Sequence, residues 1–116
     1  MENIVLIGMP ASGKSTAGVL LAKKTGYGFI DTDLLIQKRE GALLCDILKA
    51  RGADGFIKAE ERVNAEVTAD RCVIATGGSV VYGEEAMKNL KSLGTVVYLK
   101  VGLESLEKRL GGEDIF

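Results

Sequence analysis

The chain has 116 residues, 47% of them apolar and 27% charged, with a net charge of −1; this is the profile of one globular domain rather than of a disordered chain. The near-neutral balance gives no electrostatic basis for binding nucleic acid or an anionic membrane. The N-terminus MENIVLIGMP lacks the basic and long apolar segments of a secretory signal, and no apolar run approaches the roughly 20 residues that cross a bilayer.

The two cysteines, Cys45 and Cys72, stand far apart, which fits a reducing, cytoplasmic location and a monomer without disulfides. The chain contains no histidine. That removes histidine general bases and nearly all zinc sites. Any chemistry must come from carboxylates, lysine and a metal held by oxygens.

Strand-like and helix-like runs alternate along the chain. NIVLIG (3–8) is β-branched, ends at glycine and predicts a buried strand. Between Lys14 and Lys24, Ala17, Leu20 and Leu21 recur at helical spacing, and Gly26 is placed to stop the helix. GFIDTD (28–33) predicts a second strand, and LLIQKRE and ALLCDILKAR two helices broken around Gly41. A longer helix follows, with Phe56, Ala59, Val63 and Val67 on one stripe. Glu60, Glu61 and Arg62 on that helix can touch a substrate, but a solvated face with i,i+4 pairing is the favoured reading. CVIATGG (72–78) predicts a third strand, EEAMKNLKSLG a helix with Ala86, Leu90 and Leu93 inward, and TVVYLKV (95–101) a fourth strand. LESLEKRLGG predicts a last helix, and Cys45 and Cys72 are read as core packing. Short apolar strands alternating with helices predict an α/β fold, a three-layer parallel sheet with helices on both faces.

GMPASGKST (8–16) matches G-x-x-x-x-G-K-[ST] between a predicted strand and a predicted helix. Gly8 and Gly13 let the backbone close around an anion, and the amides between them, Ala11 and Ser12 included, form a nest. The helix starting near Lys14 aims its unpaired N–H groups at the same place. Lys14 adds a full charge for the outer phosphates, and the Ser15 hydroxyl, followed by Thr16, can ligate Mg²⁺. This is a nucleotide-phosphate pocket. Beyond it, in an extended DTD, Asp31 and Asp33 share one face at the strand edge where ligands bind. One can hold Mg²⁺ through water while the other orients a hydroxyl; alternatively Asp33 only caps a helix starting at Leu34.

The phosphate loop, GYGFIDTD, GFIKAEE, VIATGG and TVVYL come in the order and spacing of the shikimate kinase family, which the chain resembles over essentially its whole length. The resemblance implies a P-loop NTPase, nucleoside-monophosphate-kinase-like fold with parallel order 2-3-1-4 and a fifth strand beyond it. It implies transfer of the ATP γ-phosphoryl group to the 3-hydroxyl of shikimate with Mg²⁺. Lys14 then corresponds to the phosphate-gripping lysine and Ser15 to the metal-binding hydroxyl. Asp31 matches the carboxylate near Mg²⁺, and Asp33 the group that binds the acceptor hydroxyls and takes the proton. Gly77 and Gly78 match the segment that brings backbone amides to the acceptor, and Arg109 the arginine packed on adenine.

The chain departs from the family pattern at three places. Ile57 follows Phe56 where a substrate-binding arginine is usual, leaving Lys58, about 100° further round the helix, as the candidate substitute. Gly77, Gly78, Ser79 stand where three glycines are usual, and Ala11 stands at a position commonly glycine. Residues 1–116 are expected to be a single P-loop kinase domain lacking the family's lid and its C-terminal strand and helix. Three alternatives accompany this reading. One is a related kinase with a different hydroxyl acceptor, and another an ATP-binding fragment without catalysis. The last is a nucleoside monophosphate kinase, for which Arg39 and Arg51 are the acceptor-phosphate candidates before Arg62.

Overall fold

The computed structural model describes residues 2–8 and 13–99. Within them the strands are β1 (Asn3–Gly8), β2 (Gly28–Asp31), β3 (Cys72–Ala75) and β4 (Gly94–Leu99). They form one sheet in the order β2-β3-β1-β4, parallel throughout, as expected. The helices are α1 (Lys14–Thr25), α2 (Thr32–Glu40), α3 (Leu44–Glu66) and α4 (Glu84–Leu93), with a 3₁₀ turn at Val80–Tyr82.

Alternation along the strands explains why the sheet is apolar on both sides. Val5 and Ile7 of β1, with Ile74 of β3, pack against Ala86 and Leu90 of α4. Leu6 and Val73 point the other way, onto Ala22 of α1. Each such side chain, fully buried, contributes about 1.5–3 kcal/mol. A second cluster, Ile36, Ile47, Ala59 and Val63, joins α2 to α3. Buried Asn3 ties the far end of the sheet together. Its amide donates to the Ala69 and Leu93 carbonyls at 3.0 Å each, and its oxygen accepts from the Cys72 N–H at 2.9 Å.

Helix ends follow the glycines. Gly26 and Gly41 take left-handed conformations that close α1 and α2. Gly52 sits inside α3 at φ 72°, ψ −179°, a conformation open only to glycine. It divides α3 into the two helical stretches that the sequence pattern predicts.

Three local expectations are corrected. β2 ends at Asp31, and α2 already begins at Thr32, because the Asp31 side chain caps the helix two residues earlier than the DTD alternation suggests. β3 stops at Ala75 instead of running through the glycines. Cys45 is exposed; Ile47, two residues on and therefore on another face of the helix, is the one that enters the core. The helix expected over LESLEKRLGG and the end of TVVYLKV beyond Leu99 lie outside the described residues.

The register sets Leu6 and Asp31 each beside Ala75, and Gly8 beside Leu99. The carboxyl ends of all four strands therefore meet at one edge, where ligands of such sheets bind. No helix of the described residues is long and apolar enough to cross a membrane.

Candidate active site

The phosphate side is assembled by β1 and α1. Gly8 ends β1 with the Leu99 carbonyl pressed against its Cα, so that any Cβ would overlap it. Gly13 caps α1 in a left-handed conformation (φ 86°) and offers no side chain to the helix. The amides of Ser15 and Thr16 thus open α1 without an intrahelical acceptor, and its positive end faces an adjoining cavity. Lys14 is buried, 8% exposed, and its ammonium donates to the Gly8 carbonyl at 3.0 Å. Burial pulls its pKa below the usual lysine range, opposed by Asp33 and Glu60. Ala11 and Ser12 lie outside the described residues, as does Arg109.

Asp31 and Asp33 come together through a helix cap rather than strand alternation. Asp31 Oδ1 accepts from the Asp33 N–H at 2.9 Å, and its Oδ2 accepts from Ser15 Oγ at 3.2 Å. The cap is therefore Asp31, which releases Asp33 to face the cleft from the first turn of α2. A hydroxyl and a carboxylate placed together are hard oxygen donors suited to Mg²⁺. Among the described residues no group of three or more cysteines and carboxylates is placed to hold a metal alone. Phosphate and water oxygens would have to complete the shell.

Two cavities meet at this edge. One, of about 330 Å³, is lined by Gly13, Lys14, Ser15, Thr16, Asp33, Thr76, Gly77 and Gly78. The other, of about 400 Å³, is lined by Asp33, Leu44, Phe56, Glu60, Gly77, Gly78, Ser79 and Tyr82. Asp33, Gly77 and Gly78 form part of both walls. The first cavity offers a cation, a hydroxyl and a helix N-terminus, fitting phosphate. The second pairs apolar and aromatic surface with carboxylates, fitting a small hydroxylated molecule.

Burial, then Asp31, raise the Asp33 pKa, with Lys14 opposing. Glu60 is 3% exposed. Burial raises its pKa, a hydrogen bond from Ser79 opposes that, Asp33 adds to it and Lys14 counters. Both glycines of VIATGG reach the cleft, and Gly77 does so out of necessity: a Cβ there would overlap Glu60 Oε2.

Glu60 corrects the solvated-face expectation. It falls four residues after Phe56 and three before Val63, on the buried stripe; an acid on an apolar stripe was the signal available. Glu61 instead accepts from the Glu85 N–H at 3.2 Å, at the start of α4. Lys58 is exposed and lines neither cavity, because it stands two positions from both Phe56 and Glu60, about 200° round α3 from each. Ile57 is 42% exposed and also lies outside both walls. Ser79, marked in the sequence only as a departure from a run of glycines, and Tyr82 complete the second cavity.

The family model for shikimate kinase matches residues 10–115. The chain is 48% identical over 117 aligned residues to a shikimate kinase of Clostridium botulinum (strain 657 / Type Ba4), covering 98% of this chain and 69% of that protein. The crystal structure of shikimate kinase from Aquifex aeolicus vf5 is similar at a TM-score of 0.74 and 38% identity, over 90% of this chain and 62% of that one. Shikimate kinase from Acinetobacter baumannii in complex with shikimate gives a TM-score of 0.79 and 35% identity, over 96% of this chain and 63% of that one. The chain thus spans about two thirds of the length of these relatives.

Proposed function

Because the chain belongs to the shikimate kinase family, we propose that it transfers the γ-phosphoryl group of ATP to the 3-hydroxyl of shikimate. One observation carries this reading. Asp33, Gly77 and Gly78 are shared by the phosphate cavity and the second cavity, so an acceptor hydroxyl in one lies beside a phosphate in the other. Phosphoryl transfer asks chiefly for such positioning and for charge neutralisation.

In this reading Lys14 and the first turn of α1 grip the triphosphate, which the burial of Lys14 beside the cavity supports; the resemblance assigns the loop amides of Ala11 and Ser12 to the same task. Ser15 would hold Mg²⁺ directly and Asp31 through water, and the ion would neutralise charge on the phosphate oxygens. Asp33 accepts the proton of the attacking hydroxyl as the new O–P bond forms; the bond from the γ-phosphorus to the β,γ-bridging oxygen breaks, and ADP leaves. A carboxylate whose pKa is raised is better matched to that proton. Arg109 is assigned to adenine by the resemblance. The reading includes a cytoplasmic location, which the two free cysteines fit.

The test is an ADP-release assay with shikimate, ATP and Mg²⁺. Turnover is expected, and Asp33→Asn should lower kcat by about 10²–10⁴-fold; undiminished turnover would remove Asp33 from its role. A second reading, the same transfer to another hydroxylated acceptor, is favoured by one feature. Among the described residues no lysine or arginine lines the acceptor cavity. Tight shikimate binding in calorimetry would count against that alternative.

A further inference from the structure

Ser79 and Glu60 come from segments that the sequence keeps apart, a loop after β3 and the middle of α3, and they meet at the wall of the acceptor cavity. Ser79 Oγ donates to Glu60 Oε1 in a short hydrogen bond. The other carboxylate oxygen, Oε2, lies over Gly77, where no Cβ stands in its way. Glu60 is therefore held at one oxygen by a hydroxyl, while the other occupies space that a side chain at Gly77 would fill. The backbone on each side is fixed as well. Asn64 Nδ2 donates to the Glu60 carbonyl at 2.8 Å, and the Ser79 carbonyl accepts from the Tyr82 N–H at 3.1 Å. The Ser79 hydroxyl does not cap its own turn. Its partner, Glu60, comes from α3 across the cleft.

We propose that Ser79 is a positioning residue for acceptor recognition, holding the Glu60 carboxylate against Gly77 so that it meets the acceptor's hydroxyl groups beside Asp33. The proposal rests on the phosphotransfer reading for the identity of the acceptor, but its central contact does not depend on that identity. A free glutamate side chain has several rotatable bonds, and ordering it at the moment of binding costs affinity. Ser79 does that ordering beforehand. It also donates to the ionised form of a buried carboxylate, which opposes the effect of burial and favours Glu60 as an acceptor of hydrogen bonds. The other groups facing Glu60 are Asp33 from α2 and Lys14 from α1, with Tyr82 on the same wall.

The experiment compares S79A and S79T with the unsubstituted chain. S79A should raise the acceptor KM about three- to tenfold while leaving the ATP KM unchanged. It should also move the acid limb of kcat/KM for the acceptor to higher pH, because Glu60 loses the donor that opposes its burial. S79T retains the hydroxyl and should restore both. An acceptor KM and acid limb untouched in S79A would overturn the proposal. So would a rise of both KM values together, or S79T behaving as S79A does.

Carbon-13 NMR titration of the Glu60 carboxyl supplies a readout that needs no turnover. In S79A its midpoint should rise, and in S79T it should not. An unshifted midpoint overturns the proposal even if shikimate proves a poor acceptor. A shifted midpoint, in a chain that turns over no shikimate, retires the shikimate reading and leaves the positioning role standing.

Discussion

The two sides of the cleft share Asp33 and Gly77, yet they are made from different materials. The phosphate side is backbone and one ammonium group: Gly8 ends a strand, Gly13 starts a helix, and Lys14 folds back onto the Gly8 carbonyl. Those three parts lie within a few residues of one another. The acceptor side is made of side chains from α2, α3, the glycine segment and the 3₁₀ turn. Its polar contacts reach across 19 residues in the case of Glu60 and Ser79. A site built from local backbone tolerates little change in its motif, whereas one built from distant side chains can be rewritten pairwise. Of the departures from the family pattern, Ser79 falls on the second side.

Lys14 is where the comparison can be broken most forcefully, since its charge reaches both sides. Lys14→Ala removes the ammonium proposed to neutralise phosphate and the cation that, among the described residues, both Asp33 and Glu60 feel. Losing a preorganised electrostatic contact of this kind costs about 10²–10³-fold in kcat. ATP should also cease to raise the melting temperature of the variant. A thermal shift that persists would put the nucleotide elsewhere and leave the two-sided description without its first half.

The same division governs what the sequence could disclose. The phosphate loop is legible because its physics is local: glycine spacing, a strand before it and a helix after it. The sheet is legible for a similar reason, since short β-branched runs buried on both faces give the parallel order found here. Asp31 and Asp33 were placed at the site, but for the wrong geometric reason. Strand alternation competes with helix capping at DTD, and the cap wins because the Asp31 oxygen satisfies the Asp33 N–H. The acceptor wall was mostly hidden. Glu60 sits on the apolar stripe of α3, where an acid makes sense only once Ser79 and Gly77 are known to face it, and nothing local announces that meeting. Lys58 failed for a plainer reason, since a helix turns it away from the cavity.

Gly77→Ala should separate the two sides cleanly. The added Cβ would overlap Glu60 Oε2 and come within 3.4 Å of Asp33 Oδ1. The overlapped atom ends a flexible side chain, so Glu60 moves aside and the fold survives. Losing hydrogen bonds to a charged group then weakens acceptor binding by about 10- to 100-fold. ATP should still raise the melting temperature as in the unsubstituted chain. Equal damage to ATP binding and acceptor KM would show that the cleft has one side, not two.

The smallest effect is on stability, and its dependence on pH tests whether Glu60 is retained for function. Burial raises the Glu60 pKa above the ordinary glutamate range. As pH climbs through the interval between the unfolded and folded values, the unfolded chain releases this proton first. The folded state then binds more protons than the unfolded one, so stability falls across that interval and is level above it. Glu60→Gln cannot titrate, yet it keeps an oxygen for the Ser79 hydroxyl. In urea unfolding, the variant should therefore gain on the unsubstituted chain as pH climbs through that interval, while its acceptor KM worsens. A stability difference that stays constant or runs the other way would mean that the charge at Glu60 is well supported by its neighbours.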